Sequence, residues 1–154
     1  MTETVILQVL CGAATAVCFA ILFNVRRQKL PIIACGSAAA CGIYLLVNQL
    51  SGAVFLSLFC ASCFVSILSE VLARRKAAPV TTFLVPFMIP LFPGGDLYRA
   101  AAAMVQQDAS FPTACRTVFS EAGALVSGIA VVACLVQLLY RLLHRRQQRL
   151  YRTR

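Results

Sequence analysis

The sequence predicts an all-α, polytopic integral membrane protein with five transmembrane helices, the fourth of them broken at Pro93-Gly94-Gly95. Three observations lead there. Hydrophobic residues make up 60% of the chain and charged residues only 12%, against roughly 45–50% and about 25% in an ordinary soluble domain. Long intervals carry no charge at all, and an ionic side chain at the bilayer centre is costly. The charges that are present gather at the ends of those intervals. At about 20 apolar residues per helical span, a chain of 154 residues has room for five. Closed β-barrels are the other way through a bilayer, but they need period-2 alternation, and these apolar runs are continuous.

The first helix is expected from about Thr4 to Phe23, within an uncharged run that ends at Val25. It lacks the basic leader of a signal peptide and carries Glu3 instead, so it reads as an uncleaved anchor with its N-terminus outside. Forty uncharged residues follow from Leu30 to Ser69, and as one helix they would extend roughly 60 Å, twice a hydrocarbon core of about 30 Å. The chain must therefore cross, turn at Asn48-Gln49-Leu50-Ser51-Gly52 and return. This gives a second helix at about Leu30 to Val47 and a third at about Ala53 to Leu72. The last helix is expected from about Glu121 to Leu143, after an external loop from Gln106 to Ser120 that holds Asp108, Pro112 and Arg116. Residues 1–143 thus form one membrane domain, and residues 144–154 a basic tail. Small residues four apart, Ala34, Ala38 and Gly42, Gly36 and Ala40, and Ala124 and Gly128, mark faces where helices approach closely. Seven of the eight cysteines lie in apolar runs and read as small buried hydrophobes; Cys115 falls in the expected external loop.

A formal net charge of +9 would suggest nucleic acid as a partner if the charges were scattered over a soluble surface. They are not. Arg26, Arg27 and Lys29 follow the first run, Arg74, Arg75 and Lys76 the third, and six arginines from Arg141 onward the last. The positive-inside bias then places the tail in the cytoplasm. A re-entrant fourth segment would put those six arginines outside, so the segment from Pro79 to Gln107 is expected to cross.

That fourth segment carries the chemistry. Pro86, Pro90 and Pro93 fall within eight residues and precede Gly94-Gly95. Proline inside a helix removes a hydrogen bond and clashes with the preceding turn, so the helix should break there, with Asp96 as N-cap of a short second piece. Unwound backbone at membrane depth is tolerated only when it is buried in protein or lines a wet cavity, and broken helices of this kind form the solute sites of transporters. Asp96 and Arg99, at ion-pair spacing, either face a zwitterionic solute or serve as a cap and a snorkelling arginine. Ser62, Ser66 and Ser69 form a polar stripe leading to Glu70. This is either a lined pathway or an interfacial ion pair of Glu70 with Arg74. The expected pathway residues are Pro93, Gly94, Gly95, Asp96, Arg99, Glu70 and Ser66. Cys60 and Cys63 form a lone CxxC with no histidine nearby, and neither a metal, a cofactor nor an enzyme site is expected.

Several strings resemble the small half of the threonine/serine exporter family: Phe23-Asn24-Val25, Ser69-Glu70 with Ala73-Arg74, Pro79-Val80-Thr81, and Ile89-Pro90-Leu91-Phe92-Pro93-Gly94 with Tyr98. The likeness runs from about Phe19 to Val105. Arg26, Phe87 and Asp96 depart from it, standing where relatives usually have proline, glycine and a small or apolar residue. The resemblance implies a small subunit of a two-component bacterial inner-membrane exporter. Its solute would be threonine, serine or an organic acid such as a dicarboxylate, and a larger membrane subunit would complete an oligomer. A non-transporting scaffold or accessory protein is the alternative.

Overall fold

The computed structural model describes residues 2–152, with side chains for residues 3–141. It is helical throughout: α1 (Thr2–Leu22), α2 (Leu30–Ser51), α3 (Val54–Arg75), α4 (Thr81–Met88), α5 (Gly94–Val105) and α6 (Phe111–Arg152). A 3-10 turn at Ile89–Leu91 extends α4. Among the described residues four helices, α1, α2, α3 and α6, are long and apolar enough to cross a membrane, not five. The fourth expected span is divided between α4 with its 3-10 turn and the separate α5.

The helix boundaries follow from local chemistry. Pro31 sits in the first turn of α2, where its missing N–H would be unpaired anyway. Gly52, at φ 63°, ends α2 in the left-handed conformation with its amide on the Asn48 carbonyl, so Asn48 to Ser51 belong to the helix and the turn is shorter than expected. Three other helix ends use non-glycine residues at positive φ: Asn24 (54°), Ala77 (45°) and Gln107 (53°). In each case the next amide reaches back five residues, Val25 to Ala20, Ala78 to Ala73 and Asp108 to Ala103, the bond that closes a Schellman cap. The Phe23-Asn24-Val25 string is therefore a helix terminator.

Two boundaries correct the sequence reading. The external loop shrinks from Gln106–Ser120 to five residues, 106–110, because α6 begins at Phe111. Pro112 is compatible with a first helical turn, and Arg116 stays exposed on the helix. The break in the fourth segment lies at Phe92 (ψ 133°) and Pro93 (ψ 58°), one residue earlier than expected. Gly94 and Gly95 are already helical, so Asp96 is not the N-cap of α5; Pro93 occupies that position. Asp96 stands in the first turn, where a carboxylate still favours the helix dipole.

In the bundle α1 packs on α2, α2 on α3, and α3 on α6, while α4 and its 3-10 turn lie against α1, α2 and α3. The core face of α2, Ile33, Gly36, Ser37, Ala40 and Cys41, follows the spacing of one helical stripe. Gly36 makes room for the fully buried Phe87. A Cβ at Gly36 would stand 2.5 Å from the Phe87 ring. On the second stripe of α2, Gly42 has open space instead. Ala124 and Gly128 are buried, and Gly128 crosses α3 at Ser62 and the Phe59 carbonyl. Cys11, Cys18, Cys35 and Cys134 are exposed on the outside of the bundle rather than buried. An apolar side chain is at home there if lipid surrounds it.

Helices α3 and α6 run parallel. Ser62 meets Gly128, and twelve residues further along each helix Arg74 lies 4.4 Å over the Tyr140 ring. The chain between α3 and α6 therefore passes from one end of the bundle to the other. One end gathers Arg26, Lys29, Arg74, Arg75, Lys76 and Arg141; Lys29 sits 5.4 Å over the Phe83 ring of α4 there. α6 continues to Arg152, but the side chains of the expected tail, His144 among them, and the last two residues lie outside the described residues.

Candidate functional site

The break opens onto a cavity of about 510 Å3, within the range of about 300–1,000 Å3 typical of small-molecule sites. Its walls come from six places in the chain. Gly12 and Thr15 on α1, Tyr44 on α2, Leu58 on α3, the turn from Ile89 to Pro93, Asp96 on α5 and Glu121 on α6 all face it. α4 and its turn rise about 18 Å from the basic end of the bundle. The cavity thus occupies the half of the bundle away from the basic cluster, where α3 and α6 begin.

The wall between α1 and α2 is drawn tight by small residues. The Ser37 hydroxyl donates to the Gly12 carbonyl at 3.2 Å, and a Cβ at Gly12 would fall 2.5 Å from the Cys41 sulfur. At the break, Gly94 N–H reaches the Phe92 carbonyl at 2.7 Å and Leu97 N–H the Pro93 carbonyl at 3.0 Å. The amides of Gly95 and Asp96 occupy the first turn, where no intrahelical partner exists. The Asp96 carboxylate accepts from Arg99 Nη1 at 3.2 Å, and the Arg99 side chain is 78% exposed. Arg99 itself lies outside the cavity, in a second groove of about 320 Å3 shared with Asp96, Ser110, Thr113 and Thr117.

Glu121 is the residue the sequence reading missed. It is buried, at 7% relative exposure, its Oε2 has no hydrogen-bond partner among the described residues, and it lines the same cavity as Asp96. A signal for it existed. The loop between α5 and α6 is short, so the two helices form a hairpin in which Asp96, nine residues before Val105, and Glu121, ten after Phe111, stand level. Reading residues 106–120 as loop put Glu121 at a helix start and hid that match.

The remaining expected residues are distributed differently. Pro93 and Asp96 line the cavity; Gly94 faces a separate apolar pocket beside Ile129, and Gly95 has open space around it. Ser66 and Ser69 are buried inside the bundle with hydroxyls lacking partners, and Ser62 donates to the Phe59 carbonyl at 2.9 Å. Glu70 accepts from Arg74 at 3.2 Å, and Arg74 in turn covers Tyr140. That cluster ties α3 to α6 at the basic end, away from the cavity. The Cys63 thiol faces the Gly128 carbonyl at 3.7 Å. Among the described residues no three His, Cys, Asp or Glu side chains come together to hold a metal.

Comparison with known proteins adds a family. The profile described as "Threonine/Serine exporter, ThrE" matches residues 8–138. A protein of Haemophilus influenzae described as "Uncharacterized protein" is 30% identical in an alignment 131 residues long that covers 79% of this chain and 44% of that protein. The chain thus spans less than half the length of the curated relative it matches. No solved structure matches it.

Proposed function

Because the chain belongs to the threonine/serine exporter family, we propose that it is the small membrane subunit of a bacterial inner-membrane exporter, working with a larger membrane subunit. The solute is a small amino acid such as threonine or serine, or an organic acid such as a dicarboxylate. In this reading the chain crosses five times. α4 with its 3-10 turn and α5 contribute about 18 Å each, enough together for a core of about 30 Å. The basic end faces the cytoplasm, as the positive-inside bias requires, and the N-terminus lies outside.

The observation that carries the reading is the interruption at Phe92-Pro93, which opens on a largely apolar cavity into which the Asp96 and Glu121 carboxyls, Tyr44 and Thr15 are set. A purely structural helix has no use for unwound backbone beside two carboxyls, whereas a solute path needs polar groups at that depth. Of the residues expected from the sequence, Pro93 and Asp96 line this path and Arg99 joins it through its bond to Asp96, while Gly94 and Gly95 border other surfaces. Ser66 and Glu70 stand apart from it.

The test is efflux. Cells lacking the protein and fed threonine- or serine-containing peptides should retain more of the amino acid than wild-type cells. The tagged protein should also copurify with a larger membrane protein. Unchanged efflux of both amino acids and dicarboxylates would refute the proposal.

A further inference from the structure

The cavity holds a pair of carboxyls that cannot both be ionised in comfort. Glu121 is buried, at 7% relative exposure, and faces the same cavity as Asp96, level with it on the facing helix of the α5–α6 hairpin. Two carboxylates are acceptors only, so as ions they offer each other nothing but repulsion, and Glu121 Oε2 has no donor from any other described residue. An unpaired ionised carboxylate at such a site carries a large desolvation cost. One proton removes both difficulties, because it turns one acid into a donor and leaves the pair a single negative charge.

We propose that Asp96 and Glu121 hold one proton between them, and that this pair is the site where the chain takes up and releases a proton during transport. Access is built into α6. Thr113, Thr117 and Glu121 recur every four residues on that helix, hence along one face. The first two line the groove that also holds Ser110, Arg99 and Asp96. The groove opens near the start of α6 and ends at Asp96, which is also a wall of the larger cavity. Asp96 therefore lines both spaces, the groove beside the loop at residues 106–110 and the cavity at the broken helix, which Glu121 also lines. A cationic group entering the cavity takes the proton's place between the carboxylates, and the proton leaves to water in the groove.

The other groups that face the pair do not supply the missing proton. Arg99 on α5 bonds the Asp96 oxygen from the groove side and is permanently charged. Tyr44 on α2 lines the same cavity as both acids and is a weak acid. Cys41 on α2 and Cys11 on α1 line the cavity as thiols. From α3 the cavity receives only Val54 and Leu58.

The use of the proton rests on the exporter reading, but its presence is tested without transport. The full chain, with its larger partner where the two copurify, is treated in micelles with dicyclohexylcarbodiimide, which attacks protonated carboxyls. Modified peptides are then located by mass spectrometry across a pH series. The expected result is modification at Glu121 that fades as pH rises, the protonated fraction falling about tenfold per pH unit beyond the midpoint. In Asp96→Asn the neighbouring negative charge is gone, so the fading should begin at lower pH. Infrared spectra of the same samples provide a second reading that needs no reagent access: the band of a protonated carboxyl should be present in the wild type and missing in Glu121→Gln. The proposal is overturned if that band is the same in Glu121→Gln, or if Asp96→Asn leaves the pH profile where it was. Absence of efflux in cells, with both signatures present, would instead count against the exporter reading.

Discussion

Replacing Gly36 by alanine tests whether Phe87 acts as the wedge that holds the broken segment in place. The added Cβ would lie 2.5 and 2.6 Å from two atoms of the Phe87 ring and 3.0 Å from a methyl of Leu68. Carbon atoms pack comfortably at about 3.5–4.0 Å, so the ring must retreat by about 1 Å. It has little room to do so. Phe87 is fully buried, follows Pro86 in the chain, and stacks on Phe83 at a centroid distance of 6.5 Å. Overpacking of this kind costs about 1–3 kcal/mol, and the rigid ring and its confined surroundings favour the upper part of that range. The assay is equilibrium unfolding in mixed micelles, run on Gly36→Ala, Phe87→Leu and the double variant. If the clash is with the ring, the cost of Gly36→Ala falls below about 1 kcal/mol in the Phe87→Leu background, a coupling expected of residues in contact. Equal costs in both backgrounds, or no cost at all, would refute the wedge.

Four further outcomes are expected. Gly128→Ala should destabilise by about 1–3 kcal/mol, since its Cβ would overlap the Ser62 side chain and stand 2.9 Å from the Phe59 carbonyl oxygen. Gly42→Ala, with open space around it, should show no such penalty in the same unfolding assay. Ala77→Gly should stabilise by up to about 1 kcal/mol, because the residue sits at φ 45°, a conformation glycine adopts without steric strain. A loss of stability would show that the cap needs the alanine side chain. Asp108 accepts from the Ser110 hydroxyl at 2.9 Å and the Ser110 amide at 3.2 Å, and these bonds hold its carboxyl below the ordinary range. Its contribution to the start of α6 is therefore complete above about pH 4, the unfolded value, and is lost as pH falls through the lower folded value. Protection of the Ser110 amide against exchange, taken relative to its intrinsic rate at each pH, should fall over that acid window in the wild type, and Asp108→Asn should remove the dependence.

The placement of the helices was largely legible in the sequence, for a reason that does not depend on packing. Lipid offers no partners for charge or for bare backbone, so uncharged runs with basic ends mark α1, α2 and α3 directly. Errors occurred where local signals compete. Pro112, Arg116 and Asp108 read as a loop, yet proline is accepted in a first helical turn and the arginine simply projects outward. Likewise Gly94-Gly95 looked like the break itself, whereas the φ and ψ of Phe92 and Pro93 accomplish it and the glycines begin the next helix.

Taken alone, the sequence determined that this chain is a helical membrane protein with a basic end and an interrupted segment after its third span. Composition and the position of prolines and arginines are properties of the chain itself, and the solvent acts on them one residue at a time. Only the tertiary structure decided which residues share the cavity. Asp96 and Glu121 belong to different helices. They meet because the α5–α6 hairpin has a particular loop length and each helix a particular rotation. It also separated Glu70 from that site, since α3 turns the carboxyl toward Arg74 at the basic end. A carboxyl's chemistry depends on what stands a few ångströms away, and that neighbour is chosen by folding.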